Sequence, residues 1–151
     1  MDWRSNLVTS DEQVENLLHD TKRIAVLGIK PETHSGQPAY YVPRYMQNVG
    51  YEIIPVPVYY PEVTEILGKR VYRDLRNVPD KIDMVNVFRL PHDIPKHTDE
   101  ILEARPDSVW FQSGIRNDEV AETFAKAGIQ VVQDLCLMVE HRALLGQRRD
   151  R

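Results

Sequence analysis

Cysteine is all but missing from this chain: of 151 residues only Cys136 is one. No intrachain disulfide can form, which excludes the stapled scaffolds of small secreted proteins. No apolar run approaches the roughly 20 residues that cross a bilayer, and no basic-then-apolar segment opens the sequence as a signal peptide would. The expectation is a cytoplasmic protein with no membrane partner. A basic balance is also missing. The formal net charge is −4, and an acidic chain is a poor match for nucleic acid. The five histidines, His19, His34, His92, His97 and His141, form neither H-x-x-x-H nor H-E-x-x-H, so no metal site is expected. G-x-S-x-G is missing, as is the full G-x-G-x-x-G of a dinucleotide fingerprint. There is no repeat or low-complexity tract.

What is present alternates. Hydrophobic residues make up 42% of the chain, enough at this length for one core, so residues 1–151 read as a single domain with flexible ends at 1–9 and 147–151. Ser10-Asp11-Glu12-Gln13 reads as a capping box ahead of Val14, Leu17 and Leu18 at helical spacing. Arg23 to Gly28 is a β-branched run that ends in glycine. A helix with Tyr41, Tyr45, Met46 and Val49 follows it, closed by Gly50. Pro43 requires that helix to begin shortly before it, so the intervening loop is long, reaching about Tyr40. Further strands read at Glu52–Val58, Asp83–Phe88, Ser108–Gln112 and Ile129–Gln133. Helices lie between the later ones: one through Ile94, Ile101 and Leu102 that stops before Pro106, and one with Asn117 as N-cap and Gly128 as terminator. A last helix runs through Leu137 and Leu144 to Gly146.

Strand–helix alternation with nearly continuous apolar strands predicts an α/β fold. The form expected is a Rossmann-like, doubly wound parallel sheet of five strands in the order 3-2-1-4-5, with helices on both faces. That order places a binding crevice over the ends of strands one and four. Two glycine-bearing loops meet there, Gly28–Gln37 and Gln112–Asn117, each leading into a helix N-terminus. Gly28 is expected to let a phosphate approach the backbone, so that Gly28→Val blocks binding in a protein that still folds. NAD is disfavoured because the tip of the second strand, Pro55-Val56-Pro57-Val58, lacks the acid that holds the ribose. Lys30, Arg44, Lys69, Arg70, Arg73, Arg89 and Arg116 fall on loops around the crevice, which suits a polyanionic small molecule.

Six blocks in one order carry a resemblance. They are Ile24–Gly28; Gly50-Tyr51 with Ile54-Pro55-Val56; Gly68 with Val71-Tyr72; Asp83 through Phe88-Arg89; Val109–Ile115; and Gly128-Ile129 through Asp134-Leu135-Cys136. The chain resembles, over about Val14 to Leu145, the small stand-alone CoA-binding proteins, which are similar to the N-terminal domain of the succinyl-CoA synthetase α subunit. The resemblance implies non-covalent binding of coenzyme A or an acyl-CoA. It points to Gly28, Lys30 and Ser35 near the pyrophosphate, Pro55 and Val56 at the second strand's tip, Phe88 and Arg89 after the third, and Gln112, Ser113, Gly114 and Ile115 after the fourth. One departure stands out: the family's usual Pro-Val-Asn-Pro is Pro55-Val56-Pro57-Val58 here.

The synthetase keeps its phosphorylated histidine and its nucleotide site outside this domain, so thioester synthesis is not expected and no catalytic residue is assigned. Other readings stay open: an NAD(P) or adenine-nucleotide module, or an accessory subunit of an acyl-CoA-using enzyme. A second copy of the chain and an enzyme remain open as partners. Cys136 reads either as a core residue or as a thiol near enough to the crevice for a mixed disulfide with coenzyme A. His34 reads either as a solvated loop residue or as a group that touches a phosphate or does acid–base work.

Overall fold

The computed structural model describes residues 2–146. Its strands are β1 (Arg23–Leu27), β2 (Glu52–Val56), β3 (Glu65–Ile66), β4 (Lys69–Arg70), β5 (Met84–Val87), β6 (Ser108–Phe111) and β7 (Gln130–Val132). The helices are α1 (Asp11–Asp20), α2 (Pro38–Asn48), α3 (Thr98–Ala104), α4 (Asp118–Lys126) and α5 (Leu137–Leu144). Along β1 successive side chains point to opposite faces. Ile24 and Val26 pack with α1, α2 and α5 through Leu18, Met46 and Leu137. Ala25 and Leu27 pack with α3 and α4 through Ile101 and Phe124. Both faces are covered, as parallel strands require.

The α/β class and the five-stranded parallel sheet are as the sequence predicts. The main-sheet order is β2-β1-β5-β6-β7. Asp83–Phe88, expected at the outer edge beyond the second strand, pairs instead with β1 in the register Ile24–Met84 to Leu27–Val87. Its four residues from Met84 to Val87 are all buried, a pattern that fits a strand with neighbours on both sides. The outer place belongs to the segment after β4, where Tyr72 N–H donates to the Pro55 carbonyl at 2.9 Å. Counted as the third strand, that half-buried segment restores the dinucleotide-type order. The chain therefore reverses between β1 and β5, and β5 stands between β1 and β6.

Local chemistry accounts for the ends of the elements. The capping box is in place: Ser10 Oγ accepts from Gln13 N–H at 3.2 Å, and Gln13 Oε1 accepts from Ser10 N–H at 3.1 Å. Asn117 Oδ1 caps α4 by accepting from Val120 N–H at 3.1 Å. The helix predicted through Ile94 and Leu102 is two pieces, a 3-10 turn over Pro91–His97 and then α3, because Pro95 has no N–H for a continuous ladder. Residues 2–9, expected as part of a flexible end, make contacts with the sheet edge and α4. Leu7 bridges Val131 beside β7, Val8 N–H donates to the Val131 carbonyl, and Asn6 Nδ2 donates to the Ala125 carbonyl at 2.9 Å. The other predicted end, 147–151, lies outside the described residues.

Pro43 sits inside α2, among buried residues. It cannot donate to the carbonyl four residues back, which is Ala39. That carbonyl accepts the Lys30 N–H instead, at 3.1 Å. The helix interruption thus docks the loop after β1 onto the first turn of α2.

Gly28 makes the turn that leaves β1. Its φ is +90°, and a Cβ there would lie 2.3 Å from the Phe88 carbonyl oxygen. The glycine is needed by the fold, because the backbones at the ends of β1 and β5 touch. This replaces the expectation that Gly28→Val leaves a folded protein. A left-handed penalty of about 1–2 kcal/mol and an overpacking cost of about 1–3 kcal/mol predict a loss of about 2–5 kcal/mol for Gly28→Ala in urea unfolding. Gly36→Ala, where nothing lies within 4 Å, is the control and should change stability little. Equal stability of the two variants would contradict this account of the turn.

Candidate functional site

A cleft of about 390 Å³ opens over the C-terminal ends of β1, β5 and β6. Three segments build it. The loop after β1 and the start of α2 supply Gly28, Lys30, Gln37, Pro38 and Ala39. The segment after β5 supplies Phe88, Arg89, Leu90, Pro91 and Asp93, and the loop after β6 supplies Gln112, Ser113, Gly114 and Ile115. Tyr59 closes the side toward β2, with 62% of its surface exposed.

Eight of the predicted residues meet in this cleft: Gly28, Lys30, Phe88, Arg89, Gln112, Ser113, Gly114 and Ile115. Three do not line it. Ser35 is exposed on the turn before α2. Pro55 and Val56 are buried within β2, where they shape the sheet rather than face the cleft. Of the other predicted bases, Arg44, Lys69 and Arg70 are exposed outside the lining, and Arg116 pairs with Asp118 at 3.0 Å.

The two cleft cations differ. Lys30 Nζ donates to Gln37 Oε1 and, among the described residues, has no carboxylate partner. Gln37 is the N-cap of α2 and makes no side-chain cap, and Pro38 at the first helical position has no N–H to satisfy. Lys30 and the positive end of the α2 dipole therefore lie on the same wall. Arg89 is 9% exposed, and its Nη2 lies 3.8 Å from Asp93 Oδ2. The Asp93 carboxyl is held below the usual range, chiefly by its hydrogen bond from Lys96 and then by His92 and the other nearby cations, so it is ionised at neutral pH.

The loop after β6 is fixed by Asp134, which the sequence marks only as part of the sixth block of the family resemblance. Asp134, at φ +58°, accepts from Gly114 N–H through Oδ1 at 2.6 Å, and its own N–H donates to the Ile115 carbonyl at 3.1 Å. Aspartate is one of the few side chains that enters the left-handed region readily, which is the one signal the sequence offered. Gln112 is a scaffold as well as a lining residue. Its Oε1 accepts from Leu137 N–H at the start of α5 and from Asn86 Nδ2, at 3.3 and 3.4 Å. The second loop's helix, α4, is capped by its own Asn117 and offers no open N-terminus to the cleft.

Other candidates resolve into structure. His34 packs against Tyr60 with the rings tilted and their centroids 5.1 Å apart, and does not line the cleft. Arg73 donates to the carbonyls of Tyr59, Tyr60 and Val63 at 2.7–2.8 Å, which holds the loop that carries Tyr59. Cys136 is half-buried at the N-cap of α5 and is not among the cleft residues. Tyr59, Leu90, Pro91 and Asp93 were not singled out from the sequence; the third-strand correction is what brings Leu90, Pro91 and Asp93 against Gly28. Among the described residues no group of three or more His, Cys, Asp or Glu is placed to hold a metal ion, and no helix is long and apolar enough to cross a membrane.

Comparison with known proteins gives three kinds of match. Residues 22–142 match the CoA binding domain family. The uncharacterized protein YneT of Bacillus subtilis is 36% identical over 134 residues, which is 87% of this chain and 94% of that one. A Thermus thermophilus protein of solved structure is 39% identical, with a TM-score of 0.83 over 91% of this chain and all of its own. An acetyl-coenzyme A synthetase of Ca. Korarchaeum cryptofilum, solved with phosphate and ADP, shares the fold at 20% identity. Its TM-score is 0.63, over 78% of this chain and 26% of the synthetase.

Asp134 generates a prediction. Removing its carboxylate leaves Gly114 N–H without its charged acceptor, and a side chain without a local hydrogen bond keeps the left-handed strain. Asp134→Ala is expected to lower stability by about 1.5–3 kcal/mol and to speed hydrogen exchange at the Gly114 amide. Asp134→Asn should retain most of both. Unchanged Gly114 exchange in the alanine variant would show that the carboxylate does not hold the loop.

Proposed function

The chain belongs to the CoA binding domain family, and we propose that the cleft over β1, β5 and β6 binds coenzyme A or an acyl-CoA non-covalently. The observation that carries this reading is the wall formed by Lys30 and the start of α2. There a cation with no carboxylate partner among the described residues and a helix end without a side-chain cap stand at the point where the sheet reverses, the place where open α/β sheets bind ligands. Pyrophosphate at that wall accepts from Lys30 and faces the helix dipole. Phe88, Leu90, Pro91 and Ile115 give the rest of the cleft an apolar lining suited to the pantetheine arm. The tip of β2, Pro57-Val58-Tyr59, has no acid for a ribose diol, which favours coenzyme A over NAD. Binding, with no bond made or broken by the chain, is the activity proposed.

Coenzyme A, NAD and ATP should separate in thermal melting. A ligand at 100 times its dissociation constant stabilises the folded state by about 2.7 kcal/mol. In a chain of this size that raises the melting temperature by about 5–10 °C. The expected result is such a shift with coenzyme A, a weakened one in Lys30→Ala, and none with NAD. A shift with NAD and none with coenzyme A would overturn the reading.

A further inference from the structure

Arg89 enters the cleft with one edge of its guanidinium already committed. Its Nε–H donates to His97 Nε2 at 3.2 Å, and that nitrogen accepts only when it carries no proton. The ring proton of His97 is therefore on Nδ1, which donates to Glu100 Oε1 at 2.6 Å. The other oxygen of Glu100 accepts from the N–H of buried Leu75 at 2.9 Å. The side chains of His97 and Glu100 are 13% and 12% exposed, so the line of contacts runs from the core to the cleft with little access for water.

The opposite edge of the guanidinium lies beside two cleft residues. Nη1 is 3.4 Å from Tyr59 Oη, and Nη2 is 3.8 Å from Asp93 Oδ2. Five N–H groups lie in one rigid plane, so an acceptor that fixes Nε also fixes where both Nη groups point. Without it the guanidinium is free to turn about its last bond and to pair fully with Asp93, which would withdraw it from an incoming anion. We propose that His97, oriented by Glu100, is a positioning residue that aims the Arg89 guanidinium at a phosphate of the ligand. This rests on the coenzyme A reading of the cleft. His97 does not itself touch the ligand; its effect passes through Arg89.

A role confined to supporting α3 would make the His97 and Arg89 losses independent, and a double-mutant cycle separates the two cases. Calorimetric titration with coenzyme A on the full chain is expected to show about ten-fold weaker binding for His97→Leu and at least that for Arg89→Ala. The double variant should bind no more weakly than Arg89→Ala alone. His97→Gln, whose Oε1 can accept from Nε, should stay within about three-fold of wild type. Additive losses in the double variant would overturn the proposal, as would unchanged binding in either single variant. Should His97→Leu fail to fold, His97→Gln decides: a folded glutamine variant that binds as weakly as Arg89→Ala would also overturn it. Wild-type protein that does not bind coenzyme A at all would overturn the reading of the cleft, an outcome distinct from binding that the His97 variants leave unaltered.

Discussion

The close contact between Gly28 and the Phe88 carbonyl is the constraint on which the rest of the site depends. It brings the ends of β1 and β5 together at the one place where the chain reverses across the sheet. With φ at +90° and no room for a Cβ, only glycine lets β1 turn into its loop while β5 passes alongside. The consequence is spatial. The loop after β1 and the segment carrying Phe88, Arg89 and Asp93 become two walls of one cleft, although about 60 residues separate them in sequence.

Once those walls face each other, single polar contacts set their shapes. Pro43 frees the Ala39 carbonyl for Lys30 N–H, Asp134 holds Gly114 N–H, and the Arg73 guanidinium gathers three carbonyls under Tyr59. In each case a group that regular structure leaves unpaired is taken up by a loop, so satisfying the backbone and shaping the cleft are one event. The charges follow from the same arrangement. Arg89 has Asp93, His97 and Tyr59 around it, whereas Lys30 pairs with an amide oxygen and, among the described residues, with no carboxylate. The side of the cleft next to α2 therefore offers an anion an unneutralised cation, while Arg89 meets an anion in competition with Asp93.

Much of this architecture was legible in the sequence, for identifiable reasons. The β-branched runs, the Ser10–Gln13 box, Asn117 and the glycine after β1 are local signals, and local signals survive without tertiary knowledge. The place of Asp83–Phe88 was not legible from alternation alone. A fully apolar strand fits any interior position, and the competing edge segment at Val71–Tyr72 is too short to read as a strand. That one misplacement also hid Asp93 as a cleft residue. Pro55 and Val56 came from the family resemblance and lie buried at the end of β2, outside the cleft lining. Asp134 and His97 act through a backbone amide and another side chain; beyond the tolerance of aspartate for the left-handed region, no pattern in the sequence marks such an indirect role.

The central claim is that coenzyme A occupies the cleft over β1, β5 and β6. Backbone amide shifts recorded during a coenzyme A titration test it most directly. The account predicts that the largest changes fall on Gly28, Lys30 and Ala39, on Phe88 to Leu90, and on Ser113 to Ile115. Largest changes instead at Lys22, Gly50, Tyr51 and Glu52, which line a separate groove of about 480 Å³, would contradict it.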